Sequence, residues 1–64
     1  MTIQQINERR KVGDLQRVKE MSGIHRRTVD DVIYGKTKPT SKKAKEVIKW
    51  FEKYYAAIDS INNK

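Results

Sequence analysis

A chain of 64 residues has room for one domain with a small core. At that size only about 60% of the unfolded surface becomes buried, and with no cysteine neither a disulfide nor a thiolate metal site can reinforce it. Fifteen Lys and Arg against eight Asp and Glu leave a net charge of +7, which favours nucleic acid, an anionic membrane surface or an acidic protein as partner. The opening MTIQQINERR lacks the apolar run of a signal peptide, and no apolar stretch approaches a membrane span. The absence of cysteine fits a reducing, cytoplasmic setting. Oligomerisation or tight helix packing must supply the stability that so small a core lacks.

Thr2-Ile3-Gln4-Gln5 has the pattern of a capping box. It predicts a first helix over 2–11, with Ile3 and Ile6 buried and Arg9, Arg10 and Lys11 near the negative end of the macrodipole. Val12-Gly13 breaks it. The three-residue spacing of Leu15, Val18 and Met21 predicts a second helix over 14–21, with Asp14 as its N-cap. Ser22-Gly23 interrupts the pattern, and Gly23 can adopt the positive φ of a sharp turn. Ile24, Val29, Val32 and Ile33 mark the apolar face of a third helix, 25–34, which Gly35 stops and Pro39 follows. The last helix, 41–61, is capped by Thr40 or Ser41. Ala44, Val47, Ile48, Phe51, Tyr55 and Ile58 form its core stripe. The expected fold is all-α, a compact four-helix domain without a second domain or repeat.

A second stripe on the last helix, Trp50, Tyr54, Ala57 and Ile61, widens its apolar arc to roughly half the circumference, more than so small a monomer covers. This predicts a homodimer interface. For Trp50 the alternatives are packing against Ile3 and Ile6 within one chain, or stacking of bases.

Two short helices joined by a tight glycine turn form a helix-turn-helix unit, here about 14–35, whose second helix lies in the DNA major groove. With Val29 at the centre of the buried face, Arg27, Asp31 and Tyr34 point outward. Asp30 lies beside them, Arg26 to one side, and His25 at the cap. Arg can bond bidentately to guanine O6 and N7, and Asp can accept from cytosine N4. His25, Arg26, Arg27, Asp30 and Asp31 are therefore the candidate base-contacting residues. The competing reading makes Arg26–Asp30 and Arg27–Asp31 solvated i,i+4 pairs.

Charge is uneven along the chain. Residues 12–35 hold four basic and four acidic residues, whereas 36–64 hold eight Lys and three acids. Lys42 and Lys43 occupy the first turn of the last helix, where cations oppose the macrodipole and a sequence chosen for stability would carry Asp or Glu. A phosphate over that helix start would offset the penalty. Lys36, Lys38, Lys42 and Lys43, with Tyr34 at the end of the outward face, are the candidate phosphate contacts. The competing reading is a solubilising lysine run.

The segment DLQRVKEMSGIHRRTVDDVIYGKTKP also resembles the lambda-repressor-like, Cro/CI-type helix-turn-helix domains. Val18, Gly23, Ile24, Thr28, Val29, Val32, Gly35 and Pro39 match in order and spacing, across 26 of the 64 residues. The chain departs from the pattern at Lys19, where the family usually has Ala. Leu15-Gln16 stands where a Gln usually opens the first helix, and His25 where Ser or Thr usually caps the second. The resemblance implies a phosphate contact from Gln16, and a small transcriptional repressor that occupies an operator and excludes polymerase.

Catalysis is not expected. There is one His and no Cys, and no Ser-His-Asp set is suggested. Asp30 and Asp31 are about 100° apart on a helix and do not converge as an acid/base pair. His25 alone cannot build a zinc site. No metal, cofactor or small-molecule ligand is expected. The leading expectation is sequence-specific binding of double-stranded DNA, at an inverted-repeat operator, by a homodimer. A protein-interaction module of antitoxin or inhibitor type, and a sequence-tolerant nucleic-acid binder, are the alternatives from the same composition.

Overall fold

The computed structural model describes residues 1–62. Four helices follow one another: α1 (Ile3–Arg9), α2 (Asp14–Ser22), α3 (Arg26–Ile33) and α4 (Lys42–Asn62). No strand occurs among the described residues. The fold is the all-α, four-helix arrangement expected from the apolar periodicity, and each helix end lies within two residues of its predicted position.

The capping box at α1 is complete: Gln5 N–H donates to Thr2 Oγ1 at 3.1 Å and Thr2 N–H to Gln5 Oε1 at 2.8 Å. Ile6 is fully buried and Ile3 partly so. At the start of α2 the structure corrects the sequence reading. Gly13, with φ +93°, takes the N-cap position, and Asp14 is the first helical residue. The left-handed glycine turn sets Asp14 one position inside the helix, with only 9% of its surface exposed. Its carboxylate serves a buried network described below. Leu15 and Val18 enter the core, but Met21 is 45% exposed. Three-residue steps drift about 60° each around an α-helix, so Met21 has turned about 120° away from Leu15. Lys19 is half-buried.

The turn between α2 and α3 is residues 23–25. Gly23 adopts φ +73° and its N–H donates to the Lys19 carbonyl at 2.9 Å, while Ile24 N–H donates to Ser22 Oγ at 3.1 Å. At the far end of α3, Lys36 N–H donates to the Asp31 carbonyl at 2.8 Å and Gly35 N–H to that of Val32 at 3.3 Å. This is a Schellman stop, with Gly35 in the left-handed position at φ +80°. Asn7 Nδ2 donates to the Ile33 carbonyl at 2.9 Å, so α1 helps to cap α3.

Ser41, rather than Thr40, caps α4: its Oγ accepts from Ala44 N–H at 3.1 Å. Twenty-one residues make α4 about 31 Å long, which sets the longest dimension of the molecule, 36 Å against 21 and 20 Å. α4 packs on both α2 and α3. Its buried residues are Ala44, Val47, Phe51, Tyr54 and Tyr55, with Ile48, Trp50 and Ile58 packed partly against them. Tyr54 also departs from its expected place. The spacing puts it on an outward dimer stripe, but it lies in the core, 9% exposed. A helix covered by two neighbours buries a wider arc than one stripe, and Tyr54 falls on the flank facing α2. No helix among the described residues is long and apolar enough to cross a membrane.

Candidate nucleic-acid interface

His25, Arg26, Arg27, Asp30, Asp31, Tyr34 and Lys36 line a single shallow concavity. All five candidate base-contacting residues are thus brought together on the outer side of α3, with two of the candidate phosphate contacts at its edge. Lys38, Lys42 and Lys43 are exposed but lie outside the concavity.

The three positive or ring-bearing groups at the helix start are held differently. His25 is the N-cap: its Nδ1 accepts from Arg27 N–H at 3.2 Å. The Arg26 guanidinium is fixed on two sides, by Asp30 Oδ1 at 3.0 Å from Nε and by Gln16 Oε1 at 3.0 Å from Nη1. Gln16 is itself steadied by Glu20, which accepts from its Nε2 at 3.3 Å. Two of the five guanidinium N–H groups are used, leaving three, enough for a bidentate contact. Arg27 forms no ion pair among the described residues and is exposed. Of the two i,i+4 pairs weighed from sequence, Arg26–Asp30 forms and Arg27–Asp31 does not.

Sequence reasoning missed the Gln16–Arg26 bond, because the two residues are ten positions apart and meet only when the glycine turn folds back. In the free protein the Gln16 amide is directed to Arg26 and Glu20. Tyr34 is 58% exposed, and the Arg10 guanidinium lies over its ring, 5.3 Å from the centroid. Arg10 Nε in turn donates to Asn7 Oδ1 at 2.7 Å. The end of α3 is therefore braced from α1 through Asn7, Arg10 and Tyr34.

Elsewhere in the fold, a buried latch fixes the start of α2 against α4. Asp14 accepts from Tyr54 Oη at 2.8 Å, from Tyr55 Oη at 3.4 Å and from Lys11 N–H at 2.9 Å. Burial, with the adjacent Asp14 carboxylate adding to it, pushes the Tyr55 hydroxyl up to about 12. The same causes, burial first, raise Tyr54. Arg9 lies over the Tyr55 ring, 4.3 Å from its centroid, and forks onto Asp59 through both terminal nitrogens. Hydrogen bonding to Asp59 raises the Arg9 pKa, and the reciprocal bond lowers that of Asp59. The pair is solvent-exposed, so it contributes little to stability. None of these α1–α4 ties was legible in the sequence, where Arg9 and Asp59 are 50 positions apart.

Of the expected dimer stripe, Trp50 is partly buried, Ala57 is exposed and Ile61 is 69% exposed. Among the described residues, no three His, Cys, Asp or Glu side chains gather as a metal-holding group. Comparison of the chain with protein-family models, with curated proteins and with solved structures finds no match.

Proposed function

We propose that this protein is a sequence-specific binder of double-stranded DNA, a small cytoplasmic transcriptional repressor of the Cro/CI helix-turn-helix type. The observation that carries this reading is Arg26 held by Gln16 from α2 and Asp30 from its own helix, beside an unpaired Arg27. A guanidinium ordered before binding loses less side-chain freedom on contact and presents its donors in one orientation, which is what base-edge recognition needs.

α3 enters the major groove. Arg26 and Arg27 address base edges, with His25, Asp30 and Asp31 alongside. Lys36, Lys38, Lys42, Lys43 and Tyr34 contact phosphate. Asp30 and Gln16 act on DNA chiefly through Arg26. Such contacts divide into those that position the domain and those that specify sequence. The protein binds an inverted repeat as a homodimer, with Ala57, Ile61 and the exposed edge of Trp50 at the two-fold axis. It has no catalytic role.

Selection of bound sequences from a random duplex library tests the reading, followed by gel shifts of the recovered duplex against random duplex and RNA competitors. A recurrent motif, bound in preference to both competitors, supports it. Equal binding to all three overturns it in favour of sequence-tolerant binding, and no nucleic-acid binding at all favours a protein-interaction module.

A further inference from the structure

The outward side of α4 carries a lysine ridge of which the proposed α3 interface uses only the first member, Lys42. Lys42, Lys45, Lys49 and Lys53 follow one another at steps of three, four and four residues and are all exposed. Around an α-helix they fall within an arc of roughly 80°, and along it they span about 17 Å. Ala44, Val47 and Phe51 occupy the opposite side and are fully buried. Because α4 packs on both α2 and α3, the lysine ridge points away from both. None of the four forms an ion pair among the described residues.

This arrangement works against the helix that carries it. Lys45–Lys49 and Lys49–Lys53 are like-charge i,i+4 pairs, which destabilise a helix. The first turn of α4 contains no acid to balance its lysines. Glu46 and Glu52 flank the ridge, each about 20° beyond one of its edges, Glu52 facing the Met1 amino group at 3.7 Å, and Lys53 is drawn aside over the Trp50 ring, 4.7 Å from the centroid. A row of point charges with several ångströms between neighbours is complementary to a phosphate backbone, which binds lysine without regard to base sequence. The arc has no large apolar residue, as an interfacial membrane helix would require. It also lacks the aromatic anchor on which protein interfaces depend.

We propose that the part of the ridge beyond Lys42, formed by Lys45, Lys49 and Lys53, is a second, sequence-independent binding face for duplex DNA, so that one copy of the protein holds two duplex segments. The ridge does not depend on how α3 reads DNA; only the identity of the first segment rests on the proposed function.

The test is a capture assay. One duplex, carrying the selected motif or a random sequence if none emerges, is fixed to beads. Protein is added below saturation, and retention of a fluorescent duplex of unrelated sequence is measured over a salt series. Lys45→Gln/Lys49→Gln is compared with Lys11→Glu, which changes net charge equally on an exposed loop residue. The parent retains the second duplex. The double variant loses that retention about tenfold, and its salt slope falls by roughly two, while binding of the first duplex is unchanged. Lys11→Glu stays within about twofold of the parent, since Lys11 lines a hollow with Tyr54, Tyr55 and Ile58, on the other side of α4 from the ridge, and releases no bound counterion there. The proposal is overturned if the parent retains no second duplex, if Lys11→Glu loses retention equally, or if the double variant retains it fully. It is also overturned if the double variant weakens the first duplex as much, because the ridge would then belong to the one DNA face. Binding of vesicles containing anionic phospholipid in place of the second duplex reassigns the ridge to a membrane and likewise overturns it. If no motif is selected but ridge-dependent retention persists, the α3 reading has failed and the ridge stands.

Discussion

The Asp14 latch sets a quantitative expectation for stability. Tyr54→Phe removes one hydroxyl that donates to a buried carboxylate at 2.8 Å. Hydrogen bonds to charged groups contribute about 1.5–3 kcal/mol net. Asp14 keeps Lys11 N–H and the longer contact from Tyr55, so the lower end, about 1.5 kcal/mol, is expected. Asp14→Ala removes all three acceptor contacts and strands two hydroxyls, and is expected to cost about 3–4 kcal/mol, since each stranded buried donor costs about 1–3 kcal/mol. Against the roughly 3–10 kcal/mol typical of a 64-residue domain, that is a large share of the total. Urea unfolding of both single variants and the double variant closes a mutant cycle, with an expected coupling of about 1–2 kcal/mol. Tyr54→Phe should cost almost nothing in the Asp14→Ala background. An equal cost in both backgrounds would refute the latch, and Asp14 would revert to a simple helix-start residue. The latch also has a pH signature. Tyr55 ionises near its ordinary value when unfolded but at about 12 when folded. Its contribution is therefore complete below pH ~10 and lost as pH rises from there towards 12. Tyr55→Phe should flatten that alkaline loss relative to the parent.

Three further outcomes follow from the interface. Gln16→Ala frees one side of Arg26; in repeated duplex selection, preference should relax at a single base position while the salt slope is kept, and an unchanged motif would remove Gln16 from the reading apparatus. Replacing Lys36, Lys38 or Lys43 singly with Ala should lower the salt slope of binding by roughly one and weaken all sequences alike; a shifted motif would reassign that lysine to a base. Ile61→Lys should convert binding of an inverted repeat to weak, half-site binding while the circular dichroism of the fold persists. Sedimentation showing that parent and variant are both monomers on a non-palindromic site would remove the dimer. Tyr54 substitutions cannot serve here, because they act on the core.

The helix order was legible because its punctuation is local. The Thr2–Gln5 box and two of the three left-handed glycines, Gly23 and Gly35, act within a few residues of themselves. The five groups on the outer side of α3 were legible for the same reason, since they lie on one short helix and its N-cap. What could not be read depends on which helices meet. Asp14 looks like any N-cap until a left-handed Gly13 moves it inside α2, and its partners lie 40 and 41 residues away. Tyr54 falls on a regular outward stripe, yet a helix flanked by two neighbours draws that flank inward. Met21 keeps the three-residue spacing of its face, but the face itself rotates away from the core. Arg26 presents the same i,i+4 pattern with Asp30 as Arg27 does with Asp31, yet only the first pair closes, with Gln16 arriving from α2 to hold Arg26 as well.

Arg27→Ala decides whether α3 reads base sequence through its arginines. Parent and variant are each taken through selection from a random duplex library and then titrated on the parent's motif. A defined motif is expected for the parent, with a loss of about 1–3 kcal/mol of specific affinity in the variant and relaxed preference confined to one base pair. The same motif recovered by Arg27→Ala with undiminished affinity would contradict it.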